Sequence, residues 1–173
     1  MRTTRNKKNA EEILRRYKRG DNEFRNVSVE TGDLSRRRLV GIVFEGASLV
    51  GCNFEGSILK QASFSAANLR EANFKGADLS KANLKGADLR GAILRSVNLS
   101  GADLRWANLE GVNLSGSNIS GANFDGANLR NANLKGTDPG KLWWKANLEE
   151  AKLDGTILPD GTVFGQAGVD KSK

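Results

Sequence analysis

Hydrophobic residues recur at every fifth position along most of the chain. From Phe24 to Leu134, each fifth residue is Phe, Leu, Val or Ile, without a break. This period matches neither the roughly 3.6-residue repeat of a helix nor the roughly two-residue repeat of a strand. If all these side chains share one core, the backbone has to turn once in every five-residue unit.

The residues around each hydrophobic centre indicate how the turn is made. In the 19 units centred on Phe44 to Leu134, the residue two before the centre is Ala in 13, and the residue just before it is Asn or Asp in 14. The residue two after the centre is Gly in 12. Glycine adopts the positive φ that a type II turn requires at its third residue. The pattern predicts a turn after each centre, with the centre and the next small residue pointing inward.

The stretch ANLREANFKGADLSKANLKGADLRGA, residues 67–92, resembles the pentapeptide-repeat family with its A-(N/D)-L-x-x consensus. The resemblance covers residues 22–164 and implies an all-β solenoid, a right-handed quadrilateral β-helix. Four units would then form one coil of about 20 residues, and coils would stack about 4.8 Å apart. In that arrangement six of the seven Phe residues fall on two facing sides of the coil, although so small a set also admits chance.

The N-terminal residues predict a short helix that caps the first coil. Asn9 followed by Glu12 is typical of a capping box, the apolar residues of ILRRY lie on one helical stripe, and Gly20 would end the helix. We expect a flexible basic segment over 1–8, a capping helix over 9–20 and repeats over 21–164. The stretch ILRRYKRGDNEF resembles the cap of cyanobacterial pentapeptide-repeat proteins.

The repeat is interrupted near the C-terminus by TDPGKLWWK. Leu148 resumes the pattern 14 residues after Leu134 instead of 15, so we expect a loop or bulge over 138–145. Residues 158–164 predict a turn and a final side, and residues 165–173 a disordered tail. No C-terminal helix is predicted, which leaves two oligomeric states open: a monomer, or a dimer through an open C-terminal end.

Composition removes most catalytic chemistry. The chain has no His and a single Cys, so histidine-dependent catalysis, the usual zinc sites and an internal disulfide are excluded. Asp78, Asp88 and Asp103 occupy the repeat position that Asn holds elsewhere, and Cys52 occupies the small inward position. We therefore predict no enzyme activity and no catalytic, metal or cofactor site. No apolar run could span a bilayer and no leader is recognisable, which favours a cytoplasmic protein with no membrane partner.

The net charge of +7 is concentrated at the N-terminus, where residues 1–40 carry 12 basic and 6 acidic groups. A second basic group lies just after the centres on three of the four sides, whereas the fourth side has Ser80, Ser100 and Ser120 there. Both groups are either solvated surface or a docking surface for an anionic partner. The residues of this girdle are Arg70, Lys75, Lys85, Arg90, Arg95 and Arg105.

Tryptophans give the most specific candidate site. Trp106 takes an outward turn position where Gly is usual, and Gly126 one coil later leaves room beside its ring. Trp143 and Trp144 follow in the irregular segment, where burial for structural reasons is the competing interpretation. Our hypothesis is an exposed aromatic patch of Trp106 and the 138–145 loop that binds a protein partner.

The family resemblance implies a non-enzymatic interaction or scaffold module with a role in signalling or regulation. Nucleic-acid binding through the basic residues is the alternative, since the charge suits it but only one outward aromatic residue offers a base-stacking surface. One branch of the family mimics DNA and regulates type II topoisomerases. That role requires an acidic surface, so we do not expect it of this basic chain.

Overall fold

The structure begins with a helix that is longer than the sequence predicts. A computed structural model describes residues 2–138, 148 and 150–165, with side chains from Ala10 onward. Helix α1 spans Arg2–Lys18 and contains Asn9 in its interior. The expected flexible segment over 1–8 is therefore wrong for residues 2–8, and Asn9 is not the N-cap. No Pro or Gly precedes Gly20, so nothing in these residues interrupts the helix before that point.

Helix α1 packs against the first coil through its apolar stripe. Ala10 and Ile13 are buried in the same hydrophobic cluster as the first coil, and Leu14 and Tyr17 pack against that cluster. The Tyr17 hydroxyl donates a 2.8 Å hydrogen bond to the carbonyl oxygen of Val40. Gly20 follows the helix with a φ of 92°, which lets the chain turn into the first coil.

After the helix, the chain forms a stack of coils joined by isolated parallel bridges. Among the described residues, bridges pair positions 20 apart at every fifth residue, from Glu23↔Val43 to Asn118↔Asp138. Backbone hydrogen bonds run both ways between coils: the Phe24 N–H donates to Val43 at 2.8 Å, and the Val43 N–H donates to Asn22 at 2.8 Å. Each coil therefore has four bridged sides and satisfies most of its backbone groups through its neighbours.

Each side ends in the turn that the glycine pattern predicts. At one such corner the Ala47 N–H donates to the carbonyl of Phe44 at 3.1 Å, and Gly46 between them has a φ of 63°. The same hydrogen bond recurs after most centres. The five-residue period thus follows from one short side and one turn per unit.

We number the sides by their centres, which point inward and stack in columns. Phe54 and Phe74 on side 3 stack at 4.8 Å, and Phe64 on side 1 meets Phe74 edge-on at 5.9 Å across the core. Sides 1 and 3 therefore face each other, as the distribution of Phe residues predicts. The centres are Phe24, Phe44, Phe64, Leu84, Leu104 and Phe124 on side 1; Val29, Leu49, Leu69, Leu89, Leu109, Leu129 and Leu153 on side 2; Leu34, Phe54, Phe74, Leu94, Leu114, Leu134 and Leu158 on side 3; Leu39, Leu59, Leu79, Leu99 and Ile119 on side 4.

The small inward position also accepts polar residues, because a hydrogen-bond acceptor lies within reach. The hydroxyls of Ser57 and Ser117 each donate a 2.7 Å hydrogen bond to a centre carbonyl of the preceding coil. Cys52 makes the equivalent contact, with its Sγ 3.0 Å from the carbonyl oxygen of Val29. Burial raises the pKa of the Cys52 thiol to about 12, so this cysteine is a small buried side chain and not a nucleophile.

The irregular segment lengthens one coil. Asn128 bridges to Lys152 and Asn133 to Ile157, each 24 residues on instead of 20. The shift in phase therefore comes from four inserted residues and not from the loss of one. Most of the predicted loop over 138–145 lies outside the described residues.

The described chain ends in a hairpin. Ile157 pairs with Val163 in an antiparallel bridge, and the Phe164 N–H donates to Thr156 at 2.8 Å. The turn expected over 158–164 is present, but the residues after it fold back on the last coil through a single antiparallel bridge instead of forming a further side. The predicted tail falls outside the described residues beyond Gly165.

Candidate interaction surfaces

Trp106 lies at the corner between sides 1 and 2, two residues after Leu104. Its backbone is in the left-handed region with a φ of 56°, and its side chain is 53% exposed. The indole lies directly over Gly126 of the next coil, where an added Cβ would come within 2.6 Å of the indole Nε1. The glycine therefore makes room for the ring, as the sequence predicts.

Two cations border the indole. The Lys85 Nζ lies 4.6 Å from the centroid of the Trp106 ring, and the Arg105 Cζ lies 5.8 Å from it. Arg105 also donates hydrogen bonds of 2.9 and 2.6 Å to the carboxylate of Asp103. Those side-chain hydrogen bonds hold the pKa of Asp103 below its usual value against the opposing effect of burial. The Trp106 patch, consisting of Trp106, Lys85 and Arg105, thus combines an exposed aromatic ring with positive charge.

The pairing of Trp106 with a glycine in the next coil recurs at other corners of the stack. Among the described residues, ten that are not glycine have a positive φ at the turn, and nine of these are followed by Gly at the same corner of the next coil. Asn26 and Thr31 lean over Gly46 and Gly51 as Trp106 leans over Gly126. A non-glycine turn residue followed by a glycine one coil later is therefore a sequence signal for an outward side chain that rests on the next coil.

The structure does not bring the six residues of the girdle into one site. Lys85 and Arg105 lie on side 1, Arg70 and Arg90 on side 2, and Lys75 and Arg95 on side 3. Each pair occupies adjacent coils, so the two charges of a pair lie close together while the three pairs face different directions. The girdle is therefore three separate pairs and not one continuous surface.

The three pairs also differ in how far nearby carboxylates compensate them. Arg90 forms a 2.7 Å ion pair with Asp88, and Arg70 lowers the pKa of the same carboxyl as a more distant charge. Arg105 is paired with Asp103 at 2.6 Å. Within the described residues no carboxylate lies within ion-pair distance of Lys75 or Arg95. Side 3 thus carries the uncompensated pair.

Ile93 is an exposed residue that the sequence analysis missed. It lies on side 3 two residues before Arg95, and its side chain is 44% exposed. The same position holds Asn in coils on both sides, at 53, 73, 113 and 133. The sequence signal was an aliphatic residue in a row of Asn, which a count of consensus matches records only as a deviation.

The basic residues at the N-terminal end are partly paired. Arg15 contacts Glu12 at 2.5 Å and Arg16 contacts Asp21 at 2.5 Å. The residues 36–38, three successive Arg, are exposed on the first coil. This end therefore adds a basic cluster that is separate from the girdle.

Part of the predicted aromatic patch lies among residues that the structure does not describe. Trp143 and Trp144 lie outside the described residues, so the predicted aromatic patch is represented by Trp106. Across residues 10–138, 148 and 150–165, no three side chains of the metal-binding types gather into a metal site. No helix in the described ranges has the length and apolar character to cross a bilayer.

A four-sided stack of five-residue units defines a β-solenoid repeat protein. The family model 'Pentapeptide repeats (8 copies)' matches this chain in four overlapping segments. These segments, residues 33–65, 57–95, 72–111 and 98–136, together cover more than half of the chain. The chain belongs to the pentapeptide-repeat family. Membership implies a right-handed β-helix, and proteins of this family are generally structural or interaction modules rather than enzymes.

The chain is also similar to solved structures. It is 28% identical to the pentapeptide-repeat protein Rfr23 of the cyanobacterium Cyanothece 51142, over 75% of this chain and 95% of that one, with a TM-score of 0.45. It is 28% identical to HetL of Nostoc sp. strain PCC 7120, a pentapeptide-repeat protein involved in heterocyst differentiation regulation. That match covers 88% of this chain and 98% of HetL, with a TM-score of 0.26. A trypsin-treated form of QnrB1, a plasmid-mediated fluoroquinolone resistance protein, is 25% identical to this chain. That match covers 76% of this chain and 82% of QnrB1, with a TM-score of 0.36. A comparison with curated proteins finds no match.

Proposed function

We propose that this protein is a non-enzymatic interaction module that binds a partner protein through the Trp106 patch, in a signalling or regulatory role. The observation that carries the proposal is an exposed indole held at a corner where the backbone favours glycine. A non-glycine residue in the left-handed region costs roughly 1–2 kcal/mol. Trp106 therefore adds strain and exposed apolar surface, and stability alone does not account for it.

The composition of the patch supports a protein partner. Tryptophan and arginine are enriched among the residues that contribute most to protein–protein binding, because each offers a large contact area and directed polar contacts. Lys85 and Arg105 place such polar groups at the border of the ring. An acceptor on the partner could bind them while an apolar group packs on the exposed face of the indole.

The remaining assignments belong to the same proposal. Helix α1 would close the first coil by burying Ala10 and Ile13, which shields one end of the stack from further pairing. The protein would act in the cytoplasm, as a monomer or as a dimer through its C-terminal end. Trp143 and Trp144 would extend the aromatic surface from the inserted segment.

Nucleic-acid binding remains the second candidate, but no observation favours it. Arg90 and Arg105 are already paired with Asp88 and Asp103 on their own sides. A duplex or a single strand would compete with those carboxylates for the cations. The three faces of the girdle also point in different directions and cannot follow one backbone.

The experiment is affinity capture from native cell extract with the wild type, Trp106→Gly and Ala66→Gly. Ala66 is at the same corner two coils earlier and has a φ of 55°, so its replacement makes the same backbone change without removing the indole. We expect a protein captured by the wild type and by Ala66→Gly to be lost with Trp106→Gly. Equal capture by all three proteins contradicts the proposal.

A further inference from the structure

Four consecutive coils of side 3 form a basic face, which is bounded by Glu55 one coil before Lys75. The side-3 face comprises the outward residues of 73–76, 93–96, 113–116 and 133–136, which include Lys75, Arg95 and Lys135 and no Asp or Glu. All three cations are exposed. At a spacing of about 4.8 Å per coil, the face extends over about 14 Å from the first to the last of these cations. Its positive charge is therefore available to a partner.

Ile93 is placed within this face at a cost. The Asn residues at 53, 73, 113 and 133 each accept a hydrogen bond from the backbone N–H two residues later, at 3.1, 3.0, 2.9 and 2.9 Å. An isoleucine side chain cannot accept that bond. It also exposes apolar surface next to Arg95, where Asn would present an amide. Aliphatic residues hold the equivalent position at Val43, Ile58 and Ile157, so the cost at Ile93 is the lost hydrogen bond and the exposed apolar surface.

We propose that the side-3 face docks an acidic segment of a partner protein that also presents an aliphatic side chain to Ile93. Ile93 and Arg95 both point outward from side 3, about 7 Å apart, and Lys75 lies one coil before Arg95. Carboxylates of the segment bind Lys75 and Arg95, and its aliphatic side chain packs on Ile93. The charge selects the partner and the apolar contact fixes its position.

The features of the face favour a protein over a nucleic acid as the occupant. Three cations neutralise few phosphates, and an aliphatic side chain between them offers no ring on which a base can stack. The Oδ1 atoms of Asn73, Asn113 and Asn133 are already bonded to backbone N–H groups. The amide oxygens of these three Asn residues are therefore already engaged, whereas the three cations and Ile93 are exposed.

This face is distinct from the Trp106 patch. Side 3 faces away from side 1, since Phe64 and Phe74 meet across the core between them at 5.9 Å. Trp106 lies at the corner of sides 1 and 2, so a partner on one surface leaves the other accessible. The inference goes beyond the proposed function and does not depend on it.

The test uses three probes and isotope-labelled full-length protein at low ionic strength. The probes are a synthetic Glu/Leu peptide, the same peptide with each Leu replaced by Ser, and oligothymidylate. Backbone amide shifts locate the contact and titration gives the Kd. We expect the Glu/Leu peptide to shift amides of the side-3 face, and to bind more tightly than the other two probes.

Matched variants distinguish specific binding at the side-3 face from non-specific attraction to the net positive charge of the protein. Lys75→Glu/Arg95→Glu should weaken binding of the Glu/Leu peptide by at least about tenfold. Arg70→Glu/Arg90→Glu makes the same charge change at the equivalent positions of side 2, and should have a much smaller effect. Ile93→Asn restores the residue found in neighbouring coils, so it should fold, and it should abolish the advantage of the Leu peptide over the Ser peptide.

Four outcomes would overturn the inference. These are no binding of the Glu/Leu peptide, amide shifts spread equally over the other sides, an equal loss in the side-2 variant, or tighter binding of oligothymidylate at the same face. Circular dichroism spectra identical to that of the wild type establish that each variant has folded. Because Trp106 is intact in every variant, failure here leaves the proposed function standing.

Discussion

The inside and the outside of the coil follow the five-residue unit with different strictness. Inside, the centres from Phe24 to Leu134 are almost completely buried, and the position two before them is nearly always small. Outside, the turn position two after the centre holds Gly in most units and Asn, Thr, Arg, Gln, Ala, Glu, Lys, Ser or Trp in others. The core is confined by the coils above and below it, whereas a corner tolerates any side chain that the next coil can accommodate. The core therefore determines the fold, and departures from the repeat on the outside mark candidate contacts.

The largest effect on stability is expected for a substitution inside the coil. Leu99→Ala should lower the free energy of unfolding by about 2–5 kcal/mol, because Leu99 is 0% exposed and a stacked core has little freedom to collapse around a cavity. Urea denaturation measures the change. The outward neighbour Ser100 provides the control: Ser100→Ala should change stability by no more than about 0.5 kcal/mol. Equal effects at the two positions would contradict the difference between inside and outside.

A smaller effect is expected at the corner that seats Trp106. Gly126→Ala and Gly86→Ala each put a side chain into the left-handed region, at a cost of roughly 1–2 kcal/mol. Only at Gly126 does the new Cβ also clash with the indole, since no atom beyond the chain neighbours lies within 4 Å of a Cβ at Gly86. Gly126→Ala should therefore cost more than Gly86→Ala and should alter tryptophan fluorescence. In a Trp106→Ala background the two costs should become equal; a persistent difference would rule out the clash.

Removing the indole itself should not destabilise the protein. Trp106→Gly relieves the positive φ of 56° and should raise the free energy of unfolding by up to about 1 kcal/mol. Chemical denaturation of the variant against the wild type measures this gain. A clear loss of stability would instead show that Trp106 is a packing residue, and would remove the main support for its role in binding.

The smallest effect is expected on the stability of the fold at acidic pH. Hydrogen bonds from Arg105 lower the folded-state pKa of Asp103, so the ionised carboxylate stabilises the fold above the usual aspartate pKa of about 3.9. That contribution is lost as the pH falls through the unfolded and then the folded pKa. Asp103→Asn should flatten the decline in stability below about pH 5, and Asn holds the same position at 83 and 123.

The control for this prediction removes the cation. In an Arg105→Gln background, Asp103→Asn should have less effect on the acid dependence, as measured by denaturation midpoints across the acid range. The same pH dependence with and without Arg105 would assign the effect to another group.

Most of the fold could be predicted from the sequence, because one local rule is repeated. The spacing of the centres and the glycines at the turns, such as Gly46, give the side and the corner of every unit. The helix start was misplaced, since Asn9 is a good N-cap residue but nothing in residues 2–8 opposes helix formation. The phase shift after Leu134 was detected, but a shift of one residue and an insertion of four give the same spacing to Leu148.

The candidate surfaces were predicted less completely. Trp106 and the glycine beneath it could be identified, because Trp106 departs from the consensus Gly at a corner where the next coil keeps Gly126. The separation of the girdle into paired and unpaired cations could not be predicted, because ion pairing with Asp88 or Asp103 depends on side-chain geometry. Ile93 was missed because a hydrophobic residue in a row of Asn becomes informative only when its exposure is known.

The sequence by itself determined one turn per five residues and a core of Leu and Phe; the coil of twenty was implied by the family resemblance and is shown by the bridges between positions 20 apart. The turn and the core pattern follow from covalent spacing and backbone conformation, which act between neighbours along the chain. The tertiary structure decided which charges are neutralised, which corners are exposed and how the last coil absorbs its insertion. Those properties arise between residues on different coils, where distance and solvent access, and not sequence position, set the energy.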